Sequence, residues 1–287
     1  MKKTVSKKKL IIIITAAVLV IMGIWTVWGN TALEINSYTV ESENLPDAFS
    51  GFRIAHISDF HDAEIGESNE KLISMLRETE PDIIAITGDF IDSRRPDVEK
   101  SLAFAREIAK IAPCYYVTGN HESNLYNTHY AELEKGLIDA GINLLHDKEM
   151  FIEKDGAKIS VLGIDDPDFA VEQGFGKGLD MTGENIASVS ESEGFRILLS
   201  HRPESFEEYV KADMDIVLTG HAHGGQFRLP FLGGVNAPHQ GWFPKYDAGI
   251  FTEDDTSMLV SRGIGNSVIP MRFNNRPEII IVDLKAI

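Results

Sequence analysis

Residues 82–92 read DIIAITGDFID, a run of mostly β-branched apolar residues that leads directly into a glycine and two aspartates. A short apolar run bounded by a turn signal predicts a buried β-strand. The same succession of an apolar strand and a polar cluster occurs elsewhere in the chain, in RIAHISDFH (53–61), YYVTGNHE (115–122), FRILLSH (195–201) and DIVLTGHAH (215–223). These five strands with polar ends are the features from which the fold and the site can be predicted.

Helical patterns separate the first three of these strands. The first pattern ends at Pro81, and two further amphipathic patterns cover residues 98–112 and 130–140. From Ile142 onward, strand patterns dominate. Two strand–helix–strand crossovers followed by many strands predict an α/β fold with two packed mixed β-sheets flanked by helices. No shift in composition divides residues 51–287, so we predict a single domain there.

The N-terminal segment differs in character from the rest of the chain. Five lysines within residues 1–9 precede an uncharged apolar run over residues 10–28. At about 1.5 Å per residue, this run nearly matches the roughly 30 Å hydrocarbon core of a bilayer. Trp25 and Trp28 lie near its far end, where indole rings favour the interface. We predict a basic cytoplasmic N-terminus (1–9), an uncleaved transmembrane signal-anchor (10–28) and a polar linker (29–50).

Two alternatives to the anchor remain open. A cleaved signal peptide usually has an apolar stretch of about 7–15 residues that ends in an A-x-A-like site, and this run is longer and lacks that ending. A core helix of a soluble protein rarely lacks a polar face. Both patterns fit the sequence less well than a membrane anchor does.

Charge predicts which way the domain faces. The net charge is −17, and without the five N-terminal lysines it is −22. Lysines before the apolar run favour a cytoplasmic N-terminus, which places the acidic domain outside the cell membrane as a single-pass, extracytoplasmic protein. A domain this acidic is not expected to bind nucleic acid and should be repelled by anionic lipid. Cys114 is the only cysteine, which excludes an intrachain disulfide and a cysteine-rich zinc site.

The polar clusters stand just past strand ends, where α/β sheets bind their ligands. Imidazole nitrogens and carboxylate oxygens suit borderline metals such as zinc, iron or manganese. The Asp-x-His at 59–61 and the His-x-His at 221–223 each place alternate residues on one side of an extended segment. Singly, each cluster has an ordinary alternative, such as a capped turn or a hairpin tip. Because five of the nine histidines fall in these clusters, we predict a metal site.

The ordered series D-x-H, G-D-x-x-D, G-N-H-E, H and G-H-x-H resembles the calcineurin-like metallophosphoesterase superfamily over about residues 50–285. The ending GHAHGGQFRLP (220–230) is similar to its bacterial, membrane-associated branch. The resemblance implies a role for each matching residue. One metal is held by Asp59, His61 and His223, the other by Asn120, His201 and His221, with Asp89 bridging them, His121 acting as proton donor or stabiliser of phosphoryl charge, and Asp92 orienting His121.

The function implied by the resemblance is phosphohydrolysis with two divalent metal ions per chain, manganese, iron or zinc. A hydroxide bridging the ions attacks phosphorus in line, and a histidine protonates the leaving oxygen. Monoesters, diesters and diphosphates all fit this chemistry. The anchor indicates a phosphorylated small molecule or lipid linked to the membrane or envelope. The alternative is a non-catalytic metal-binding scaffold of the same fold, but such scaffolds usually lose ligands, and this chain retains all of them.

Several residues outside the motifs carry weaker expectations. Glu122 is expected to orient the metal ligands, and His239 is a candidate for the wall of the crevice. His56 is interpreted as a core histidine. The Trp242–Phe243 pair is a candidate for a substrate wall or a lipid-facing patch, and core packing is the preferred interpretation. Four arginines that follow or flank the motif strands are candidates for gripping phosphate, namely Arg202, Arg228, Arg262 and Arg272.

Overall fold

A computed structural model of the 287-residue chain describes residues 6–174, 182–189, 193–266 and 268–287. The α-helices of these residues are α1 (Lys7–Thr31), α2 (Glu70–Glu78), α3 (Val98–Ile108), α4 (Asn120–Asn124), α5 (Tyr130–Asp139), α6 (Pro167–Glu172), α7 (Thr182–Val189) and α8 (Phe206–Lys211). The strands are β1 (Glu34–Ser42), β2 (Arg53–Ile57), β3 (Ile83–Thr87), β4 (Cys114–Val117), β5 (Asn143–Leu144), β6 (Lys148–Lys154), β7 (Ala157–Gly163), β8 (Arg196–Leu199), β9 (Ile216–Thr219), β10 (Arg228–Leu229), β11 (Gly233–Gly234), β12 (Asn236–Ala237), β13 (Gly241–Trp242), β14 (Gly249–Glu253), β15 (Thr256–Val260) and β16 (Glu278–Ala286).

Two six-stranded sheets form the centre of the fold. The first has the strand order β1-β16-β2-β3-β4-β5, and the second has the order β14-β15-β9-β8-β7-β6. Strands β2, β3 and β4 run parallel in the first sheet, as do β7, β8 and β9 in the second, whereas β16 is antiparallel to β2 and β14 to β15. Both sheets are therefore mixed, and the predicted α/β fold with two mixed sheets is confirmed.

The apolar faces of the two sheets pack against each other. Ile54 and Val117 of the first sheet share one buried cluster with Val161, Ile197 and Leu218 of the second. Burying an aliphatic side chain of this size stabilises the fold by about 1.5–3 kcal/mol. Helices α2, α3 and α5 bury their apolar sides against the other face of the first sheet, and α7 and α8 do the same on the second. The helices thus form the outer layers, as predicted.

The structure corrects the predicted linker (29–50) over residues 34–42. Residues 34–42 form β1, which pairs in parallel with β16 from Glu34 opposite Glu278 to Ser42 opposite Ala286. The strand was missed because it is an edge strand whose side chains are mostly exposed or half-buried, and its sequence EINSYTVES therefore lacks a continuous apolar pattern. The chain leaves α1 and enters the central sheet almost at once.

The acidic, glycine-rich segment at 165–194 has the composition of a long excursion between strands. It contains α6 and α7, whose Phe169 and Ile186 are buried in the two outer cores. Residues 175–181 and 190–192 of the segment lie outside the described residues. Both helices are short, six and eight residues, so their apolar periodicity was too brief to recognise.

Helix α1 contains the predicted span of residues 10–28. It is 25 residues long, its apolar window has a mean hydropathy of 2.8, and none of that window is buried. By length and composition, α1 is able to cross a membrane. Its C-terminal end is fixed to the domain, because the Asn30 side chain donates to the Arg272 carbonyl at 3.1 Å and accepts from the Arg272 N–H at 2.9 Å. The Arg276 guanidinium also stacks on the Trp28 ring, 4.8 Å from its centroid.

Candidate metal centre

The polar clusters of both sheets meet in one crevice between the strand ends. Strands β2, β3 and β4 lead into Asp59, Asp89 and Asn120, and strands β8 and β9 lead into His201 and His221. All of these except the half-buried Asn120 are buried. The structure therefore brings together groups that are up to 164 positions apart in the sequence, from Asp59 to His223.

The first group of donor atoms consists of Asp59, His61, Asp89 and His223. Nε2 of His61 lies 3.2 Å from Nε2 of His223, 3.6 Å from Oδ2 of Asp89 and 3.8 Å from Oδ1 of Asp59. Nε2 of His223 lies 3.3 Å from Oδ1 of Asp59. Two imidazoles and two carboxylates therefore point their electron-rich atoms at one small volume.

The second group shares Asp89 with the first. Nε2 of His201 lies 3.4 Å from Oδ2 of Asp89, 3.1 Å from Nδ1 of His221 and 3.3 Å from Oδ1 of Asn120. Oδ2 of Asp89 is thus the atom that approaches both His61 and His201. A carboxylate placed in this way is able to bridge two ions.

The donor set fits a pair of bound cations. Ligand atoms about 2.1 Å from an ion are separated from one another by roughly 3.0–3.4 Å in tetrahedral or octahedral geometry, and the contacts within each group are close to this spacing. The ring of His201 is also held as a metal ligand requires, because its Nδ1 donates to the Thr87 carbonyl at 2.7 Å and leaves Nε2 free to face Asp89.

Much of the donor set sits on strained backbone. Asp59, His61, Asp89, His221 and His223 all have positive φ, between 46° and 63°. This region is uncommon for residues other than glycine, although Asp and His enter it more readily than most, and it costs on the order of 1–3 kcal/mol per residue. Strain of this kind persists only where the surrounding structure imposes it, and here it turns each side chain into the crevice.

Glycines permit the close approach of the loops. A Cβ added at Gly119 would collide with the carboxylate of Asp89, and one added at Gly220 would collide with Ser58 Oγ and the carboxylate of Asp59. The glycines of the G-N-H and G-H-x-H motifs are therefore needed for space at these two positions, since neither of them has a positive φ.

The family model of the calcineurin-like phosphoesterases matches residues 52–225, which include every residue of both donor groups. The chain belongs to this family. It is 31% identical to the uncharacterized metallophosphoesterase YkuE of Bacillus subtilis over 88% of this chain and 86% of that protein. It is 26% identical to the phosphodiesterase YaeI of Escherichia coli, over 83% of this chain and 84% of that protein.

A third relative carries a membrane segment in its name. The transmembrane protein with metallophosphoesterase domain of Danio rerio is 30% identical to this calcineurin-like phosphoesterase over 94% of this chain and 62% of its own length. The family establishes the chain as a metal-dependent phosphoesterase and agrees with the two donor groups.

Glu122 connects the loops that carry two of the phosphoesterase motifs. Its buried carboxylate accepts backbone N–H groups of Asp89 at 2.9 Å, Phe90 at 2.6 Å, Ile91 at 3.2 Å and Gly119 at 2.8 Å. Burial and the charge of Asp89 raise the pKa of Glu122 to about 7, although the N–H donors favour its charged form. The expected contact with the metal ligands is present, and it ties the β3 loop to the start of α4.

His121 is oriented by the backbone. Its Nδ1 accepts the N–H of Ser93 at 2.9 Å, whereas Oδ1 of Asp92 is 3.5 Å away from it. A ring that accepts at Nδ1 carries its proton on Nε2 when neutral. That Nε2 faces Oδ2 of Asp89 at 4.0 Å, inside the crevice. The structure therefore supplies a partner for His121, Ser93, that the sequence motif did not indicate.

The charges of the site set its pKa values. Burial raises the pKa of Asp89, but the imidazoles of His201 and His121 outweigh burial and hold it well below its usual range. Burial lowers the pKa of His201, yet the charge and hydrogen bond of Asp89 raise it to about 10. Burial lowers the pKa of His223 to about 3, so this ring is neutral and offers a lone pair at physiological pH.

None of the four candidate arginines is among the described residues that line the crevice. Arg202 is buried and paired with Asp166 through its Nε at 2.5 Å and its Nη2 at 2.8 Å. Arg272 is also buried, and it donates to the carbonyls of Arg262 and Gly265. The remaining two pair with carboxylates, Arg228 with Asp247 and Arg262 with Glu34 and Glu278. All four are therefore held by groups of the protein itself, and the partners of Arg202 include two residues of the crevice, since its Nη1 lies 3.0 Å from Nε2 of His221 and 2.7 Å from Nδ1 of His239.

The crevice encloses about 320 Å³ and has a second wall. This part of the lining consists of His239, as expected, and of Gln226, Asn236, Val268 and Ile269. It meets the ligands at His239, whose Nδ1 lies 2.9 Å from Nε2 of His221. His56 is a core histidine, as interpreted, with Nε2 2.8 Å from Thr87 Oγ1. The placement of Trp242 and Phe243 in the core is wrong, since 73% and 58% of their surfaces are exposed.

Proposed function

We propose that this chain is a dinuclear metal-dependent phosphohydrolase that cleaves a phosphoester or diphosphate bond in a substrate linked to the membrane or envelope. The observation that carries the proposal is the position of Asp89, whose carboxylate belongs to both donor groups. Two donor groups that share one carboxylate fit a site for two neighbouring ions better than they fit two separate single-ion sites. Paired ions are well matched to phosphoryl transfer.

In this proposal, one ion is held by Asp59, His61 and His223, and the other by Asn120, His201 and His221, with Asp89 shared. When bound, manganese, iron or zinc supplies a water of lowered pKa and neutralises charge on the phosphoryl oxygens. The other parts of the proposed mechanism are assigned to side chains of the protein.

His121 offers its Nε2–H as a hydrogen-bond donor to the charge that develops on the phosphoryl and leaving oxygens, since Ser93 holds Nδ1 as an acceptor. Burial lowers the pKa of His121, with the charge of Asp89 opposing it, and this favours the neutral ring that carries its proton on Nε2. Asp92 places a negative charge 3.5 Å from Nδ1, where it would pair with the ring only when Nδ1 is protonated, so Ser93 is the partner that orients the neutral ring. The wall formed by Val268 and Ile269 excludes water from one side of the reacting phosphate.

The test is turnover of a chromogenic phosphodiester by the full chain in detergent with added manganese. We expect a chelator to abolish activity, and Asp89→Asn to lower turnover by about 10³-fold or more, because it weakens both ion sites at once. Asp215→Asn is the matched control, since Asp215 is a buried aspartate that precedes β9, at the opposite end of that strand from His221.

Full activity in Asp89→Asn would remove the proposal. Binding of two metal ions without turnover in a screen of phosphorylated lipids and nucleotides would favour the non-catalytic scaffold instead.

The topology is part of the same proposal. We assign α1 as a single-pass anchor, with its lysine-rich start in the cytoplasm and the catalytic domain outside the cell membrane. The apolar length of α1 and the name of the Danio rerio relative support the assignment to a membrane. A reporter fused after Ile287 is expected to be active only on the outer side, and cytoplasmic activity would contradict the orientation.

A further inference from the structure

Six large apolar side chains project into solvent beside the crevice. We call them the apolar rim, and at least 42% of each is exposed: Phe231, Leu232, Trp242, Phe243, Val268 and Ile269. Scattered exposed apolar residues are normal in soluble proteins, but a contiguous group around a cleft indicates an interaction surface. The apolar rim is therefore a candidate surface for binding a partner.

Hydrogen bonds join the three segments of the rim into one surface. The Gln226 side chain, at the base of the hairpin β10–β11, donates to the carbonyls of Ile269 at 2.8 Å and Met271 at 2.6 Å. The N–H of Phe243 donates to the Val235 carbonyl at 2.9 Å, which ties the second hairpin, β12–β13, to the first. Phe231 and Leu232 lie between β10 and β11, and Trp242 closes β13. The hairpin tips and the 268–271 loop are thus held in fixed relation.

The end of α1 identifies the partner. Asn30 bonds both the N–H and the carbonyl of Arg272, which is the third residue after Ile269. If α1 crosses a bilayer, the surface of that bilayer lies near Trp25 and Trp28, since indole rings favour the interface. The 268–271 loop is consequently held at the same level. The partner nearest to the rim is the lipid surface from which the helix emerges.

The charge of the rim segments agrees with this partner. Residues 226–246 and 262–276 contain no Asp or Glu, although 44 acidic residues in a chain of 287 would place five or six in these 36 positions. The domain as a whole is acidic and would be repelled by anionic lipid. These two segments carry no carboxylate, so repulsion by anionic lipid is weakest where they face a bilayer. Its Trp, Phe and Leu side chains are those that interfacial segments use.

We propose that the apolar rim docks on the bilayer that α1 enters and holds the mouth of the metal crevice at the level of the lipid headgroups. Val268 and Ile269 belong both to the rim and to the crevice wall, so the donor groups lie one loop away from the lipid. This placement rests on the proposed function for its chemical meaning. It favours substrates whose phosphate sits at the headgroup level while their lipid chains stay in the membrane.

Fluorescence of a single tryptophan tests docking without any use of activity. The chain has three tryptophans, Trp25, Trp28 and Trp242, so the full-length variant W25F/W28F retains Trp242 alone. It is reconstituted in vesicles of phosphatidylcholine and phosphatidylglycerol whose upper acyl chains carry bromine, a short-range quencher. We expect the emission of Trp242 to fall by about twofold or more, since an interfacial side chain reaches roughly 5–10 Å into the boundary of headgroups and acyl chains.

The matched control places a tryptophan of similar exposure away from the rim. Phe151 is 45% exposed on β6, the edge strand of the second sheet farthest from β14. In the variant W25F/W28F/W242F/F151W, the emission should be unaffected by brominated lipid and quenched by aqueous iodide. Equal lipid quenching at both positions, or quenching of Trp242 by iodide alone, would overturn docking.

Turnover measured on the same vesicles separates the two proposals. If the chromogenic phosphodiester is hydrolysed while Trp242 remains accessible to iodide, docking fails and the phosphohydrolase stands. If Trp242 is quenched by lipid but no phosphorylated compound is hydrolysed, docking stands and the proposed function fails. A variant with Phe231→Ser and Leu232→Ser should lose most of the lipid quenching of Trp242 and keep its turnover of the water-soluble phosphodiester.

Discussion

The two walls of the metal crevice differ in the polarity of their side chains. One wall consists of buried carboxylates and imidazoles, such as Asp89 and His221, on strained loops that follow parallel strands. The other wall ends in the apolar rim, whose side chains project from hairpin tips and make few internal contacts. In the first wall, each group depends on its neighbours for charge balance and hydrogen bonds. In the second, exposed side chains such as Phe231 are expected to change without disturbing the fold, so their apolar character is expected to serve a partner.

The largest effect in this comparison is expected when the hydrogen-bond donor of the polar wall, His121, is removed. His121→Ala should lower turnover by about 10²–10³-fold, the usual cost of losing one donor to the charge that develops in the transition state. Asp92→Asn should lower it by less than about tenfold, because the Ser93 N–H, closer at 2.9 Å, continues to hold Nδ1. Steady-state kinetics of both variants with one phosphodiester provide the measurement. Equal losses would show that the Asp92 carboxylate, and not the Ser93 backbone, sets the ring.

The second prediction concerns the Glu122 carboxylate, which binds the backbone of the loops that carry the metal ligands. Glu122→Gln replaces one acceptor oxygen with an amide that faces backbone N–H groups, so we expect about 2–3 kcal/mol of lost stability and a 10- to 100-fold lower turnover. The free energy of unfolding and the turnover are measured at pH 8, above the Glu122 pKa of about 7, where the carboxylate is ionised. Glu99→Gln, on the exposed side of α3, is the control. A Glu122 variant as stable as the control would mean that the four N–H groups find other partners.

The polar wall could largely be predicted from the sequence, whereas the apolar rim could not. Asp59, Asp89 and His221 each follow an apolar strand, and parallel strands bring such ends to one edge, so their convergence follows from pattern alone. Hydrophobicity does not distinguish a buried aromatic pair from an exposed one, and core packing was therefore preferred for Trp242 and Phe243 over a substrate wall or a lipid-facing patch. Backbone donors have no side-chain signature, which is why Ser93 was missed.

The strand β1 and the arginines show a related limit. An edge strand such as β1 has one solvated side, so its polar residues resemble those of a linker. Arginine in a sequence indicates charge but not its partner, and Arg202 and Arg272 turned out to be buried within the protein's own network. Functional residues that follow strand ends could be predicted from the sequence, whereas the roles of residues that depend on tertiary contacts could not.

The third prediction concerns the apolar rim. Phe231→Ser should change the free energy of unfolding by no more than about 0.5 kcal/mol, because the side chain is fully exposed. Phe104→Ser is the matched contrast, since Phe104 is buried on α3 and stacks on Phe60, with ring centroids 4.4 Å apart. It should cost about 3–5 kcal/mol. Chemical denaturation of both variants checks the difference, and a large loss in Phe231→Ser would mean that the rim stabilises the fold itself.

The smallest effect comes from a histidine outside both walls, and it shows how a polar group behaves without metal ligands around it. Nδ1 of His146 lies 2.9 Å from Oδ2 of Asp165, and its Nε2 lies 3.1 Å from Oε1 of Glu134. Burial lowers the pKa of His146, but the hydrogen bond and charge of Asp165 outweigh burial and raise it above its ordinary value. A raised folded-state pKa means that the charged ring stabilises the protein fully below the unfolded value of about 6.5, and that this contribution is lost as the pH rises through the folded value.

His146→Gln should therefore lower the free energy of unfolding by about 0.5 kcal/mol at pH 5.5 and by less at pH 9, since the pair is partly exposed and screened by solvent. The exposed His129, just before α5, provides the control substitution His129→Gln. Denaturation curves at the two pH values give the measurement. A cost that grows with pH would contradict the assignment, because it would require the neutral ring to be the stabilising form.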